Sequence, residues 1–240
     1  MTVVMADPFG SGYVGDTKNP IATTGNAFSR MENTVKYVSP KVSGFLLELA
    51  VAAGEVAGDH ASGRQLGGAV EYATGPFRLR FGYHDRNNNT SGLRDTDNAR
   101  NAVVGAVYDV GFMKLYGIVG RNSGLNSSVW RNNGNPFGRA NTPVASTDSR
   151  DALVGVTVPF APHAVMASYI HKDNRTLRNQ NASQIALGYR YSMSNRTELY
   201  AAYARIYNRR GRVTRLAVRS NPDLGIALQA SVYAHVLSDE

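Results

Sequence analysis

The chain of 240 residues carries 26 Lys and Arg against 18 Asp and Glu, a formal net charge of +8, with 42% hydrophobic residues and no cysteine. The missing thiol excludes disulfides, thiolate metal centres and cysteine nucleophiles, and no run approaches the ~20 continuous apolar residues of a membrane-spanning helix. Positive charge alone leaves nucleic acid, anionic membranes and an anion-attracting channel open as partners. Twenty-four Gly, 13 Tyr and 8 Phe beside a single Trp favour strands and tight turns. No shift in composition marks a boundary, so residues 1–240 read as one all-β unit.

Met1 is followed by TVVMADPFGSG, with no basic segment, apolar core or small-residue cleavage site, so no signal peptide is visible. Residues 1–30 are rich in Gly, Asn, Thr and Asp and read as one long loop, irregular beyond Thr2 to Met5. Asn33 to Val38 is a predicted strand, turned at Ser39 to Gly44 by Pro and Gly. Phe45 to Val56 follows as a strand, although LLELAVAAGEVAG also suits a short helix. Arg64 to Tyr72 and Phe77 to Asp85 make a hairpin about Ala73-Thr74-Gly75-Pro76. In its second arm Phe77, Leu79, Phe81 and Tyr83 face one way, while Arg78, Arg80, Gly82 and His84 face the other.

Arg100 to Tyr108 and Met113 to Arg121 form a third hairpin, and a long polar loop from Asn122 to Ser149 carries the only tryptophan, Trp130. Arg150 to Val158 and Ala164 to Lys172 form a fourth. The segment Ser183 to Tyr207 is a fifth, turning at Ser192 to Arg196. There Ile185, Leu187, Tyr189 and Tyr191 share one face against Gln184, Ala186, Gly188 and Arg190. Leu199, Ala201 and Tyr203 oppose Glu198, Tyr200, Ala202 and Ala204. A basic stretch from Asn208 leads to Pro222, and a last apolar run covers Leu224 to Val236. One side of the Ser183 to Tyr207 hairpin is apolar and the other small and polar, as a wall between lipid and water requires. The connections alternate short and long, which places every long loop at one end of the scaffold.

Four segments carry a family resemblance: ENTVKYVSPKVSG at Glu32 to Gly44, GEVAG at Gly54 to Gly58, EYATGPF at Glu71 to Phe77, and NRTELYAAY at Asn195 to Tyr203. They resemble the general porins of Gram-negative outer membranes, particularly the β-proteobacterial type, over roughly Ala6 to Tyr207. The resemblance implies an antiparallel transmembrane β-barrel of sixteen strands, assembled as a homotrimer, whose third external loop folds inward to narrow the channel. Residues 1–30 would be that constriction loop and Asn33 to Val38 the sixth strand, so that residues 31–240 supply eleven of the sixteen. On this reading the chain is an N-terminally truncated fragment of an outer-membrane protein. Its ending AHVLSDE departs from the family's terminal aromatic residue, and Arg212 to Glu240 matches least.

Channel chemistry lies in charges that face the lumen where it is narrow. Strand parity turns Lys36, Arg78, Arg80 and Arg190 inward, and the resemblance puts Asp16 and Lys18 on the constricting loop, opposing acids to bases across the pore. Any single one of these is more often a solvated wall residue than a selective one. The five histidines, His60, His84, His163, His171 and His235, lack metal-site spacing, and no nucleophile constellation or cofactor motif appears. The aromatics alternate toward the apolar stripe instead of interleaving with bases, which disfavours nucleic acid. The expected function is passive passage of small hydrophilic solutes and ions through the outer membrane, leaning toward anions, with outer-membrane lipid as the surrounding partner. The alternatives are a non-conducting outer-membrane adhesin or surface antigen, and a soluble β-rich binding module.

Overall fold

Alternating side chains need a pleated backbone, and a pleated backbone needs a neighbour on each side to satisfy its N–H and C=O groups. The computed structural model meets this with a single antiparallel sheet. It describes residues 5–10, 15–17, 31, 33–54, 56–89, 91–92, 97–124, 127, 148–176, 181–194, 197–209 and 226–234. Eleven strands run in chain order: β1 (Thr34–Val38), β2 (Phe45–Ala52), β3 (Gln65–Thr74), β4 (Phe77–Arg86), β5 (Ala99–Asp109), β6 (Lys114–Ser123), β7 (Asp148–Phe160), β8 (His163–Asn174), β9 (Asn181–Ser194), β10 (Thr197–Arg209) and β11 (Ile226–Ala234). Each pairs with the next, and among the described residues β1 and β11 remain the two edges of an open sheet.

The helical alternative at LLELAVAAGEVAG is not adopted. Phe45–Ala52 pairs with β1 on one side and β3 on the other, so its backbone groups are satisfied as a strand. The chain then turns, with the Gly54 N–H donating to the His60 carbonyl (3.1 Å) and an isolated bridge between Val56 and Asp59. This ends β2 four residues short of the expected Val56. Later strands run longer than the sequence pattern suggests: β7 reaches back to Asp148 and β9 to Asn181. Trp130 and residues 210–225 lie outside the described residues.

The two faces of the sheet invert the burial order of a water-soluble protein. On β7, Leu153 is 2% exposed and its neighbour Val154 63%. On β9, Ile185, Leu187 and Tyr189 are exposed while Gln184, Ala186 and Gly188 are buried. The same parity holds across the register from β4 to β5, where Phe81 opposes Val104 and Arg80 opposes Gly105. A continuous exposed apolar face of this extent would aggregate in water, and it is what lipid requires of a strand. We call it the outer face, and the opposite one the inner face. Along β7 the outer set from Phe160 to Ala152 extends ~27 Å at ~3.4 Å per residue, close to the ~25 Å apolar band of an outer-membrane wall.

The short connections are turns of a few residues, such as Thr74 to Phe77 between β3 and β4. Rings gather at this end of the outer face: Phe45 lies 4.6 Å from Tyr72, and His163 stacks 5.4 Å from Phe160 and 5.0 Å from Tyr191. Amphipathic rings at one rim suit an interfacial belt. Replacing Leu187 by Arg puts a charge midway along the outer set of β9 and is expected to cost ~2–4 kcal/mol. Urea unfolding in lipid vesicles measures it. Arg at the inner-face position Gly82 serves as the control for charge added away from lipid.

Candidate functional site

The inner face is occupied by the segment that precedes β1. Phe9 is fully buried among Met166, Ala186, Ala202 and Ala204. Ala6 packs with Val103, Ile118, Leu153 and Ile170. Small residues on the wall make the space. A Cβ at Gly188 would sit 2.7 Å from the Phe9 ring, and one at Gly155 2.7 Å from Pro8, so these two positions need glycine for close approach rather than for backbone freedom. The segment is also tied by polar contacts. The Gln184 side-chain amide donates to the Gly15 carbonyl (2.6 Å), and the Asp7 carboxylate accepts the backbone N–H groups of Phe9 (2.9 Å) and Thr17 (2.7 Å). Asp7 thus draws two parts of the segment together against β9. Burial raises its carboxyl to about 6, outweighing the hydrogen bonds from Phe9 and Thr17 that favour the charged form.

Beside this docked segment, the inner face of β1 to β4 carries a ladder of alternating charge. Lys36 Nζ lies 3.2 Å from Glu48, and Arg80 bridges Glu48 (2.8 Å) and Glu71 (3.1 Å). Arg78 approaches Glu71 at 3.7 Å. The side chains of Lys36 and Arg78 are 51% and 53% exposed, whereas that of Arg80 is 9% exposed. Three bases meet two acids, so the ladder is net positive. Its accessible groups are the outermost two bases. Arg80, held between two carboxylates, fixes the geometry and contributes little free charge.

A second polar cluster spans β5 to β8 toward the long-loop end. Lys172 donates to Asp151 (3.1 Å) and Ser149 (3.0 Å), and Asn122 donates to the other Asp151 oxygen (2.6 Å). Asn101 in turn donates to Asn122 (2.6 Å) and to the Ser127 carbonyl (2.7 Å). Lys172 is 2% exposed, and a buried pair that loses one member is destabilised by roughly 3–5 kcal/mol. This cluster braces the wall and offers no open charge.

Lys36, Arg78 and Arg80 come together in one network. Arg190 points to the same inner face but lies five strands beyond β4, 3.4 Å from Glu198. Asp16 is buried with the docked segment, its carbonyl facing the Gln184 amide (3.4 Å). Lys18 lies outside the described residues. Sequence reasoning passed over Glu48 and Glu71, the acids that organise the ladder. The signal was present: the β3–β4 turn sets Thr74 opposite Phe77, and counting back along both arms brings Glu71 opposite Arg80.

An antiparallel sheet with an apolar outer face, a polar inner face and a chain segment packed inside is the wall of a transmembrane β-barrel. The chain belongs to the Gram-negative porin family, whose model matches residues 1–211, and its place is the outer membrane. Among solved structures it is similar to the anion-selective porin from Comamonas acidovorans, at 23% identity and a TM-score of 0.68 over 97% of this chain and 64% of that one. It is also similar to OmpF of Salmonella typhi in complex with daunomycin, at 17% identity and 0.62 over 81% and 60%. A third is OmpT of Vibrio cholerae, at 16% identity and 0.56 over 85% and 62%. These likenesses establish the fold, and the chain spans less than two thirds of the length of each of the three. No curated protein matches it in sequence.

Asp7 gives the docked segment a pH signature. Its carboxyl holds a proton more tightly when docked than when exposed, because burial raises its pKa from the ordinary 3.8 to about 6. Docking is therefore strongest below pH 4 and weakens as the pH rises toward 6, levelling off above it. Hydrogen exchange at the Phe9 and Thr17 amides is expected to follow that course, and Asp7→Asn to flatten it. An unchanged slope in the variant would place the titration elsewhere.

Proposed function

We propose that the chain forms the wall and constriction of a passive diffusion channel for small hydrophilic solutes and ions. The observation that carries this reading is the packing of residues 5–10 and 15–17 on the polar face of a wall whose other face suits lipid. A segment held there occupies part of the interior and leaves the charge ladder of β1 to β4 beside the remaining opening. Residues 1–30 are on this view the constriction loop. The eleven strands are part of a larger closed barrel, because the backbone groups along the open edges at β1 and β11 must be paired in a bilayer, and the family resemblance implies sixteen strands in all. Passage needs no covalent step, so the protein acts as a channel and not as an enzyme. A homotrimer is the assembly that the family resemblance implies.

The channel leans toward anions. Lys36 and Arg78 are the exposed members of the ladder, and charges of one sign beside a low-dielectric wall raise the local concentration of the opposite ion. The similar Comamonas porin is named as anion-selective, in keeping with this direction.

Planar-bilayer recording under a salt gradient tests both parts. Discrete conductance steps with a reversal potential on the anion side are expected, and K36E/R78E is expected to lower the anion-to-cation permeability ratio several-fold. A folded, inserted and silent protein would support a surface antigen or adhesin instead. Conductance with unaltered selectivity in the variant would remove the ladder from the selectivity account.

A further inference from the structure

The outer face changes character at one level. Moving toward the long-loop end, the outward residues of β5 run Tyr108, Ala106, Val104, Ala102 and then Arg100. On β6 they run Leu115, Gly117, Val119 and then Arg121, and on β7 Val158, Val156, Val154, Ala152 and then Arg150. Three arginines on three adjacent strands thus close the apolar band at the same rim. Arg100 is engaged by Asp85 at 3.1 Å. Arg121 and Arg150 stand directly opposite each other in the β6–β7 register, both exposed, and among the described residues neither makes an ion pair. Asp173 faces Arg150 across β7–β8 but forms no ion pair with it.

Like charges placed directly opposite in an antiparallel pair repel, and with Asp173 on the far side of Arg150 from Arg121, an anion lying between the two arginines relieves that repulsion. Two guanidinium groups present planar forks of N–H donors that match phosphate oxygens bidentately. Their height selects the anion. They sit one outward position beyond Val119 and Ala152, ~7 Å along the strand at ~3.4 Å per residue, where lipid chains end and headgroups begin. Their inward neighbours Asn122, Ser149 and Asp151 are buried in the wall's own hydrogen bonds, so the strands that carry them are braced.

We propose that Arg121 and Arg150 form an outward clamp for the phosphate of a membrane lipid in the leaflet at the long-loop end. The clamp rests on the reading of the outer face as lipid-facing and is independent of conductance. Basic side chains at a bilayer interface hold anionic headgroups in this way, and the apolar column beneath the clamp accommodates the acyl chains of the same molecule.

The test uses the full chain in phosphatidylcholine nanodiscs doped with diphosphorylated lipid A or with the same lipid stripped of phosphate. After detergent exchange, retained lipid is counted by native mass spectrometry. About tenfold greater retention of the phosphorylated form is expected. R121Q/R150Q should abolish the preference, and the inner-face variant R78Q should keep it. Equal retention of both lipids by the unsubstituted protein would overturn the proposal, as would an unchanged preference in R121Q/R150Q. Loss of retained lipid to millimolar inorganic phosphate would make this a free-ion site and overturn it too. Should the double variant fail to insert, a photoreactive group on the lipid phosphate decides on the unsubstituted protein. Labelling within 114–123 or 148–160 supports the clamp. Labelling elsewhere, or cross-links joining these segments of two copies, contradicts it.

Discussion

An unbroken antiparallel ladder is the constraint on which everything else in this chain depends. In a bilayer an unpaired backbone N–H or C=O costs several kcal/mol, so a strand can face lipid only if both neighbours satisfy it. Ten successive pairings do this on both sides for β2 to β10. Once the ladder is in place, side-chain position has period two, with one shift of register at Thr197/Glu198. A single sequence can then present Leu187 to lipid and Gly188 to the interior within one residue. A register slip of one residue would exchange the two faces of a strand, and the antiparallel turns prevent it.

The inner face follows from the same constraint. The inner face carries Gly, Ala, Ser and charge, with larger apolar side chains at Val103, Ile118, Leu153, Met166 and Ile170 where the segment docks. Small residues permit the close approach of Pro8 and Phe9 to Gly155 and Gly188. The charged residues find partners one or two strands away, as in the Glu48, Arg80 and Glu71 network. The long-loop end has its own buried network around Lys172 and Asp151. The interior is therefore divided between a packed sector under β5 to β10 and a charged sector on β1 to β4. The first holds residues 5–10 and 15–17 in place, and the second carries the ladder of Lys36, Arg78 and Arg80.

Much of this was legible in the residues. Alternation at Phe77 to Tyr83 and Ile185 to Tyr191 was enough to assign strands and to tell the faces apart, since each type of side chain reports its solvent. The helical ambiguity at LLELAVAAGEVAG arose because Leu, Ala and Glu fit both periods, and pairing with β1 and β3 resolved it. Parity puts Lys36, Arg78, Arg80 and Arg190 on the face opposite the apolar stripe, but it says nothing of partners. Hairpin arithmetic would have paired Glu71 with Arg80 and Asp151 with Lys172. Contacts across long connections have no such arithmetic. Gln184 meeting Gly15 and Arg121 meeting Arg150 depend on how the whole sheet curves and on loops whose lengths fix no register.

The central claim is that one face of this sheet meets lipid and the other water. Nitroxide scanning of β4 from Phe77 to His84, with the protein inserted in bilayers, tests it most directly. Relaxation by dissolved oxygen should peak at Phe77, Leu79, Phe81 and Tyr83, and relaxation by a water-soluble nickel chelate at Arg78, Gly82 and His84, out of phase with period two. Profiles in phase with each other, or oxygen peaks on the arginine parity, would contradict the account.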